Sequence, residues 1–206
     1  KIFYETFGKV RYRGWINVMQ FILLLGSMCL IAYGFSDYFT IRQIAIILIF
    51  SVFMVWHVKI SLKKSFVLAI LFDALLLAMD YLIYSVSRWF SLGSELLGQK
   101  YQVGQVLASL LAKIILFLLI LIIRKWFGKK IMEMMSDTEW LRFLFFPLFT
   151  IATISAMLSV FGYVQTVEQA NLLFGIAFGM VGMNIVVFYL INDVVEREVQ
   201  MHENKV

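Results

Sequence analysis

The feature that most constrains this chain is a series of long apolar blocks, each about 20 residues in length. A helix of about 20 residues is about 30 Å long, which matches the hydrocarbon core of a bilayer. A soluble domain would instead show periodic apolar segments interrupted by charged residues. The blocks therefore predict that lipid, and not water, surrounds the folded chain.

The composition supports a lipid environment. Hydrophobic residues make up 62% of the 206 residues, charged residues make up 15%, and the mean hydropathy is +0.89. A soluble domain is typically about half apolar and about a quarter charged. The net charge of +5 could indicate nucleic acid, but the basic residues lie in short clusters between apolar blocks and not along one helix face. We therefore expect a lipid bilayer, and no nucleic acid, as a partner.

Six membrane-spanning helices account for the blocks. We place them at residues 16–36, 41–58, 65–87, 103–123, 140–164 and 169–194. Helices satisfy their own backbone hydrogen bonds inside lipid, and no alternating strand pattern is present. The predicted fold class is an all-α integral membrane protein, a bundle of six transmembrane helices. The single proline, Pro147, predicts a bend or loosening of the fifth helix about one turn before it.

The positions of Lys and Arg predict which side of the membrane each connection occupies. Fourteen of these residues flank the chain ends and the connections after the second and fourth spans, whereas three lie in the other connections. The positive-inside rule assigns the basic side to the cytoplasm. An even number of spans then puts both ends of this chain in the cytoplasm.

The chain divides into three predicted parts, which are a basic cytoplasmic segment at 1–15, the membrane domain at 16–194 and the start of a cytoplasmic signalling helix at 195–206. Residues 2–8 are typical of the tail of an earlier helix, so whether a further helix precedes this chain is left open. After Val194 the sequence becomes charged without Gly, Pro or a capping residue. The last helix is therefore expected to continue into the cytoplasm, with the apolar spacing of a coiled coil.

Three ionisable side chains fall inside the predicted spans. Asp73 and Asp80 are seven residues apart, on one face of the third span, and Lys113 is near the middle of the fourth. Because an ionised group at the bilayer centre costs about 2.5 to 3.5 kcal/mol, we expect all three to face the bundle interior and to pair. Lys113 has a predicted depth between the two Asp residues and could reach either. Such a cluster would be a ligand site, ion path or signalling switch, or else a structural pair that fixes the helix register.

The sequence gives no support for catalytic or metal chemistry. His57, His202 and Cys29 fall on different segments at different predicted depths, so they do not form a nucleophile pair. No zinc-binding His-Glu motif, phosphate-binding Gly-rich loop or run of carboxylates is present. We predict that this chain is not an enzyme and uses no metal or cofactor. Cys29 is the single cysteine, which excludes an internal disulfide, and we expect it to pack within an apolar helix.

Small residues on the last span have the spacing of a close helix contact. Gly175 and Gly179 are four residues apart, and Gly182 follows. Ala152 and Ala156 form a similar ridge on the fifth span. Whether these ridges pack within one bundle or between two copies is left open.

The connections on the less basic side are too short for a folded outer domain. They cover residues 37–40, 88–102 and 165–168. An external ligand would therefore contact loop tips and helix ends at the mouth of the bundle. The candidate ligand-binding residues, which would suit a hydrophobic and partly charged peptide, are Tyr38, Asp73, Asp80, Arg88, Trp89, Phe90 and Lys113.

Two segments of the sequence resemble those of a known protein family. The stretches DTEWLRFLFFPLFTI at 137–151 and GMNIVVFYLINDVVERE at 182–198 resemble the membrane sensor region of GHKL-type sensor histidine kinases of Gram-positive bacteria. These kinases are related to the accessory-gene-regulator peptide-pheromone receptors. The resemblance extends to FYETFG at 3–8 and HENKV at 202–206.

The resemblance implies a receptor in the bacterial plasma membrane that acts in quorum sensing as part of a two-component system. It implies an extracellular signal, often a short peptide, and a homodimer that forms through the last helix and its cytoplasmic continuation. The signalling helix would include Asn192, Asp193, Glu196 and Arg197. The kinase itself, with its phosphate-accepting His and its ATP-binding motifs, would lie outside this chain.

The residues also fit a second function, that of a transporter subunit. Substrate-binding membrane subunits of small-molecule transporters have a comparable size and also use six helices. In such a protein the side chains of Asp73, Asp80 and Lys113 would hold a solute near the bilayer midplane.

Overall fold

The computed structural model describes residues 3, 10–12, 14–35, 38–92, 100–126, 137–161 and 166–203. These residues are almost entirely helical, and their one extended pairing is an isolated antiparallel bridge between Val10 and Val58. The helices, numbered in chain order, are α1 Trp15–Gly34, α2 Phe39–His57, α3 Leu62–Leu92, α4 Lys100–Trp126, α5 Asp137–Arg142, α6 Phe145–Phe161 and α7 Val167–Glu203. The predicted all-α class is therefore confirmed.

Five segments of the described chain are long and apolar enough to cross a membrane. They are Trp15–Gly34, Phe39–His57, Leu62–Val86, Trp140–Met157 and Glu168–Arg197. These segments are those of a multi-pass membrane protein. The predicted fourth span, 103–123, lies within helix α4, but side chains of that helix are described only from Leu110 to Lys125. The count of six spans stays a prediction.

Helix α3 is the central element of the bundle. It contacts α2, α4, α5, α6 and α7. The five consecutive side chains from Val67 to Leu71 are each no more than 2% exposed. Because consecutive residues of a helix point about 100° apart, five buried in a row mean that neighbours cover α3 on every side.

One of these neighbours comes from the start of the chain. The ring of Phe3 is buried, with its centroid 4.8 Å from that of Phe72 on α3 and 6.3 Å from that of Phe188 on α7. The predicted cytoplasmic segment 1–15 therefore contributes a side chain to the core. The sequence did not indicate this contact, because Phe3 stands in a short segment with basic residues on both sides, Lys1 and Lys9.

Helix α1 lies at the edge of the bundle and contacts α2. The first half of α1 is held against α2 by a buried pair in which His57 Nδ1 lies 3.0 Å from Gln20 Oε1. The backbone N–H of Arg11 donates to the carbonyl of His57 at 2.9 Å, next to the bridge between Val10 and Val58. Most of the remaining surface of α1 is apolar and exposed, as expected for a helix that faces lipid.

The fifth predicted span is broken before its proline. Helix α5 ends at Arg142 and α6 begins at Phe145. In the turn between them the hydrogen bonds span three residues and not four: the N–H groups of Phe143 and Leu144 donate to the carbonyls of Trp140 and Leu141. Pro147 has no N–H to donate to the carbonyl four residues earlier, so the α-helical pattern fails there. The predicted loosening one turn before Pro147 is confirmed.

Helix α7 is the longest element, with 37 residues. It continues without a break from Val167 to Glu203. The prediction that the last helix runs on past Val194 is confirmed. Two pairs one turn apart stabilise this part of α7: Asn192 Nδ2 donates to Glu196 Oε1 at 2.7 Å, and Arg197 Nη2 lies 2.7 Å from Asp193 Oδ2.

Two predictions about surfaces and boundaries were wrong. The connection placed at 88–102 is helical at both ends, because α3 continues to Leu92 and α4 begins at Lys100. Cys29 is exposed on α1 and does not pack in the bundle. Gly175, Gly179 and Gly182 are also exposed, and a Cβ atom on any of them would meet nothing within 4 Å. That ridge makes no close contact with the described part of the chain.

Candidate functional site

The two ends of the bundle differ in charge. We call the end that holds Tyr38 and Thr166 the distal end, and the end that holds Lys59 and Arg142 the basic end. Helices α2 and α7 run from the distal end to the basic end, whereas α3 and α6 run in the opposite direction.

An ion pair joins α3 to α4 in the distal half of the bundle. Lys113 Nζ donates to both carboxylate oxygens of Asp80, at 2.6 Å to Oδ1 and 2.8 Å to Oδ2. The pairing of Lys113 with an Asp of the third span is confirmed. The side chains are 47% exposed for Lys113 and 37% exposed for Asp80. The expectation that both face the bundle interior was therefore wrong.

The exposure of this pair follows from the position of α4. This helix makes its extensive contacts with α3, and much of its apolar surface is exposed. Lys113 therefore reaches Asp80 across the outer side of the bundle, where few neighbours cover the two side chains. Because the charges neutralise each other, the pair costs less in hydrocarbon than either group would alone.

Asp73 is separate from this pair. Its side chain lies deep in the bundle at 1% exposure, so its predicted burial is confirmed. The predicted cluster of Asp73, Lys113 and Asp80 does not form, because Lys113 directs its described hydrogen bonds to Asp80. Among the described residues, Asp73 Oδ2 has no hydrogen-bond partner. Asp73 and Asp80 share a helix face, but a closer set of neighbours covers that face at the level of Asp73.

Sequence reasoning did not select two other buried polar residues near the middle of the bundle. Asn184 on α7 donates from Nδ2 to Thr150 Oγ1 on α6 at 2.9 Å and to the carbonyl of Met180 at 2.8 Å. Gln43 on α2 is also buried. The signal that could have found them is a polar amide inside an apolar block.

The distal end presents aromatic and basic groups. Tyr38 is exposed at the start of α2, and the guanidinium carbon of Arg42 lies 5.5 Å from the centre of the Phe39 ring. Tyr81 and Tyr84 on α3 lie with ring centroids 6.3 Å apart. These groups could contact a peptide with aromatic and charged residues through stacking and cation–π interactions.

The other three candidate residues of the distal end, Arg88, Trp89 and Phe90, lie on the last turns of α3. Their backbone is helical, and their side chains lie outside the described residues. Their predicted role in binding a ligand stays a prediction. The signalling role of Asn192, Asp193, Glu196 and Arg197 also stays a prediction, although these residues form pairs along α7.

No group of three or more His, Cys, Asp and Glu side chains in the described part of the chain could hold a metal ion. His57 is fully buried, and it is surrounded by the rings of Phe21 and Phe53 as well as by Gln20. Its position therefore serves the contact between α1 and α2.

Comparison of the chain with protein-family models, with curated proteins and with solved structures finds no significant match in any of the three. Membership of the sensor kinase family therefore stays a prediction.

Proposed function

We propose that this chain is a membrane sensor domain that detects an extracellular signal at its distal end. Helix α7 then carries the signal to a cytoplasmic histidine kinase that lies outside the chain. The main support is the continuity of α7 over 37 residues. At about 1.5 Å per residue the helix is about 55 Å long, well beyond a hydrocarbon core of about 30 Å. A rod of this length can move both ends together.

The contacts of α7 support a mechanical role. It packs along the central helix α3 more extensively than any other pair of helices in the described structure. A ligand that shifts α3 at the distal end would therefore shift α7 as well. Only a ligand with different affinities for the two positions of these helices could act in this way.

The distal end suits a peptide ligand. Tyr38, Phe39 and Arg42 are at the distal start of α2, and Phe39 packs against a cluster that includes Leu77 and Ala78 on α3. The Asp80–Lys113 pair therefore lies at a similar depth, on the outer side of the bundle. A peptide with apolar and charged side chains would find aromatic faces and a basic group there. The peptide class and the kinase partner derive from the sequence resemblance.

A homodimer is part of the proposal. The exposed ridge of Gly175, Gly179 and Gly182 on α7 leaves room for a second helix to approach closely. The charged continuation of α7 would then bring two signalling helices together. Both features lie on the helix that would carry the signal.

The test is to change the rotation of α7 relative to the kinase. Alanine inserts of one to seven residues would be placed after Val206, between this chain and a dimeric histidine kinase reporter. Since each residue rotates a helix by about 100°, kinase output should rise and fall with a period of about 3.6 residues. Glycine-serine inserts of equal length serve as controls and should give no such period. Output that is independent of the length of the alanine insert would contradict the proposal.

A second candidate function is a substrate-binding subunit of a small-molecule transporter. The observation that favours it is Asp73, a buried carboxyl near the middle of the central candidate span Leu62–Val86. Transporters bind solutes at this depth. Uptake by vesicles that contain the chain and its motor partners would favour this function. Uptake unchanged by Asp73→Asn and by Asp80→Asn would count against it.

A further inference from the structure

Four polar side chains lie one helical turn below a small apolar cluster in the distal half of the bundle. The cluster is formed by Leu77, Ala78, Ile154 and Met180, with Phe39 packed against it. These residues come from α2, α3, α6 and α7, and α3 contacts each of the other three helices. Their side chains define the interior face of each helix.

On each of the four helices, the residue one turn closer to the basic end is polar. The pairs of cluster residue and polar residue are Phe39 and Gln43 on α2, Leu77 and Asp73 on α3, Ile154 and Thr150 on α6, and Met180 and Asn184 on α7. Residues four apart share a helix face, and the alternating helix directions send all four steps the same way. We call the set of Gln43, Asp73, Thr150 and Asn184 the polar layer.

The described contacts agree with such a layer. Asn184 on α7 and Thr150 on α6 are joined by a 2.9 Å hydrogen bond, which shows that two of the four side chains meet. All four are buried, with exposures of 6% for Gln43, 1% for Asp73 and 0% for Thr150 and Asn184. Apolar residues of the main core, including Phe72 and Phe188, lie on the side toward the basic end.

Three oxygens of the polar layer have no described donor. Among the described residues, Gln43 Oε1, Asp73 Oδ2 and Asn184 Oδ1 have no hydrogen-bond partner. The amide of Asn184 cannot simply turn over, because its Nδ2 already donates to Thr150 and to the carbonyl of Met180. Three helices therefore each bring an unpartnered oxygen to one buried level, and one of these oxygens belongs to a carboxylate.

We propose that the polar layer binds a monovalent cation, Na⁺. Carboxylate, amide and hydroxyl oxygens are the ligands that hard cations prefer. The layer has one acidic group and three neutral ones, so a single positive charge balances it, whereas a divalent ion would leave a net charge buried in hydrocarbon. The four residues of the layer include no lysine or arginine, and the described hydrogen bonds of Lys113 go to Asp80 and not to Asp73.

This site is independent of the proposed signalling role. It would join α2, α3, α6 and α7 through one ion at the middle of the candidate span Leu62–Val86. Because an ion that binds only the folded arrangement stabilises it, the thermal stability of the protein should depend on Na⁺.

The test is the melting temperature of the purified chain in lipid nanodiscs at constant ionic strength, with NaCl replaced by KCl or choline chloride. Above the dissociation constant, each tenfold rise in Na⁺ should raise Tm by about 3–5 °C, and choline should have no such effect. Asp73→Asn should abolish the response to Na⁺. Asp193→Asn is the matched control, since it removes a partly exposed carboxylate on α7 that is outside the polar layer, and it should leave the response unchanged.

Direct binding of radioactive Na⁺ to the unmodified protein keeps the test decisive if Asp73→Asn does not fold. Saturable binding that choline does not displace supports the site, and Asn184→Leu should then weaken it at least tenfold. The absence of saturable Na⁺ binding, or equal stabilisation by Na⁺ and choline, would overturn the proposal and would mean that the layer holds only water.

Discussion

Hydrogen bonds between individual polar residues connect neighbouring helices of the bundle. Apolar side chains gain little by leaving lipid for one another, so packing and hydrogen bonds between helices gain in importance. Ser65 Oγ donates to the carbonyl of Ser51 at 2.6 Å between α3 and α2. Gln20 meets His57 between α1 and α2. Each contact fixes the depth of one helix against its neighbour.

The Asp80–Lys113 pair gives a prediction at this scale. Lys113→Met and Asp80→Asn should each lower the thermal stability of the protein in lipid, because each leaves a polar group without its partner. An unpaired lysine in hydrocarbon costs about 2.5 to 3.5 kcal/mol on insertion scales. The double variant should regain most of the loss, since neither charge then remains. Thermal unfolding of the four proteins in nanodiscs measures this double-mutant cycle.

The outcome that would contradict this prediction is strict additivity of the two losses. Additive losses would mean that the side chains do not interact in the bilayer. Arg197→Met is a useful control, because its pair with Asp193 is on an exposed surface of α7. Exposed pairs of this type contribute about 0–1 kcal/mol, so the control should change stability little.

The fifth predicted span is interrupted by a turn, whereas α7 is continuous. The turn at residues 143–144 separates α5 from α6 and lets Trp140 enter the core, where it is fully buried. An indole at the end of a span usually lies in the headgroup layer, so the burial of Trp140 depends on this turn. Helix α7 has no such interruption and remains one rod. The two helices therefore suit different tasks, one fixing the core and the other carrying movement.

The exposed ridge of α7 gives a prediction for the homodimer. Gly179→Ile should weaken dimerisation about tenfold, on the order of 1.4 kcal/mol, because a larger side chain keeps two helices apart. The fold of one copy should not change, since a Cβ atom at Gly179 meets nothing within 4 Å. Energy transfer between two labelled copies in vesicles, measured against dilution in lipid, gives the dimerisation constant.

Gly26 on α1 provides a matched control. It is also exposed, and it also has nothing within 4 Å of an added Cβ. Gly26→Ile should leave dimerisation unchanged. Equal effects of the two substitutions, or no effect of either, would mean that α7 is not the contact between copies.

The whole molecule is organised around α3, and its two ends differ in charge. Lys59, Lys63 and Lys64 at the start of α3 lie at the basic end, together with Arg124 and Arg142, and the distal end is short in basic residues. The positive-inside rule then predicts that the basic end faces the cytoplasm. This orientation decides where a signal can enter and where α7 can deliver it.

Labelling of intact cells tests the orientation. An amine reagent that does not cross membranes should leave Lys63 unmodified until the cells are permeabilised, as read by mass spectrometry. In a Cys29→Ser background, Thr166→Cys should react with an impermeant maleimide in intact cells, because Thr166 is exposed at the distal end. Modification of Lys63 in intact cells would reverse the topology and remove the basis of the receptor proposal.

The sequence by itself determined the lipid environment, the helical fold and the break before Pro147. Apolar blocks long enough to cross a bilayer require helices, because lipid offers no partners for backbone groups. The break before Pro147 and the continuation of α7 also follow from nearby residues. These features are local, so a stretch of sequence contains their cause.

Only the tertiary structure decided which helix is central, which Asp meets Lys113, and which polar residues share a level. Asp73 and Asp80 have the same residue type and the same face of α3, yet one is buried and the other is paired at the surface. Their difference depends on how α2, α4, α6 and α7 are placed around α3. That placement results from many weak contacts between residues far apart in the chain, and no single stretch of sequence contains it.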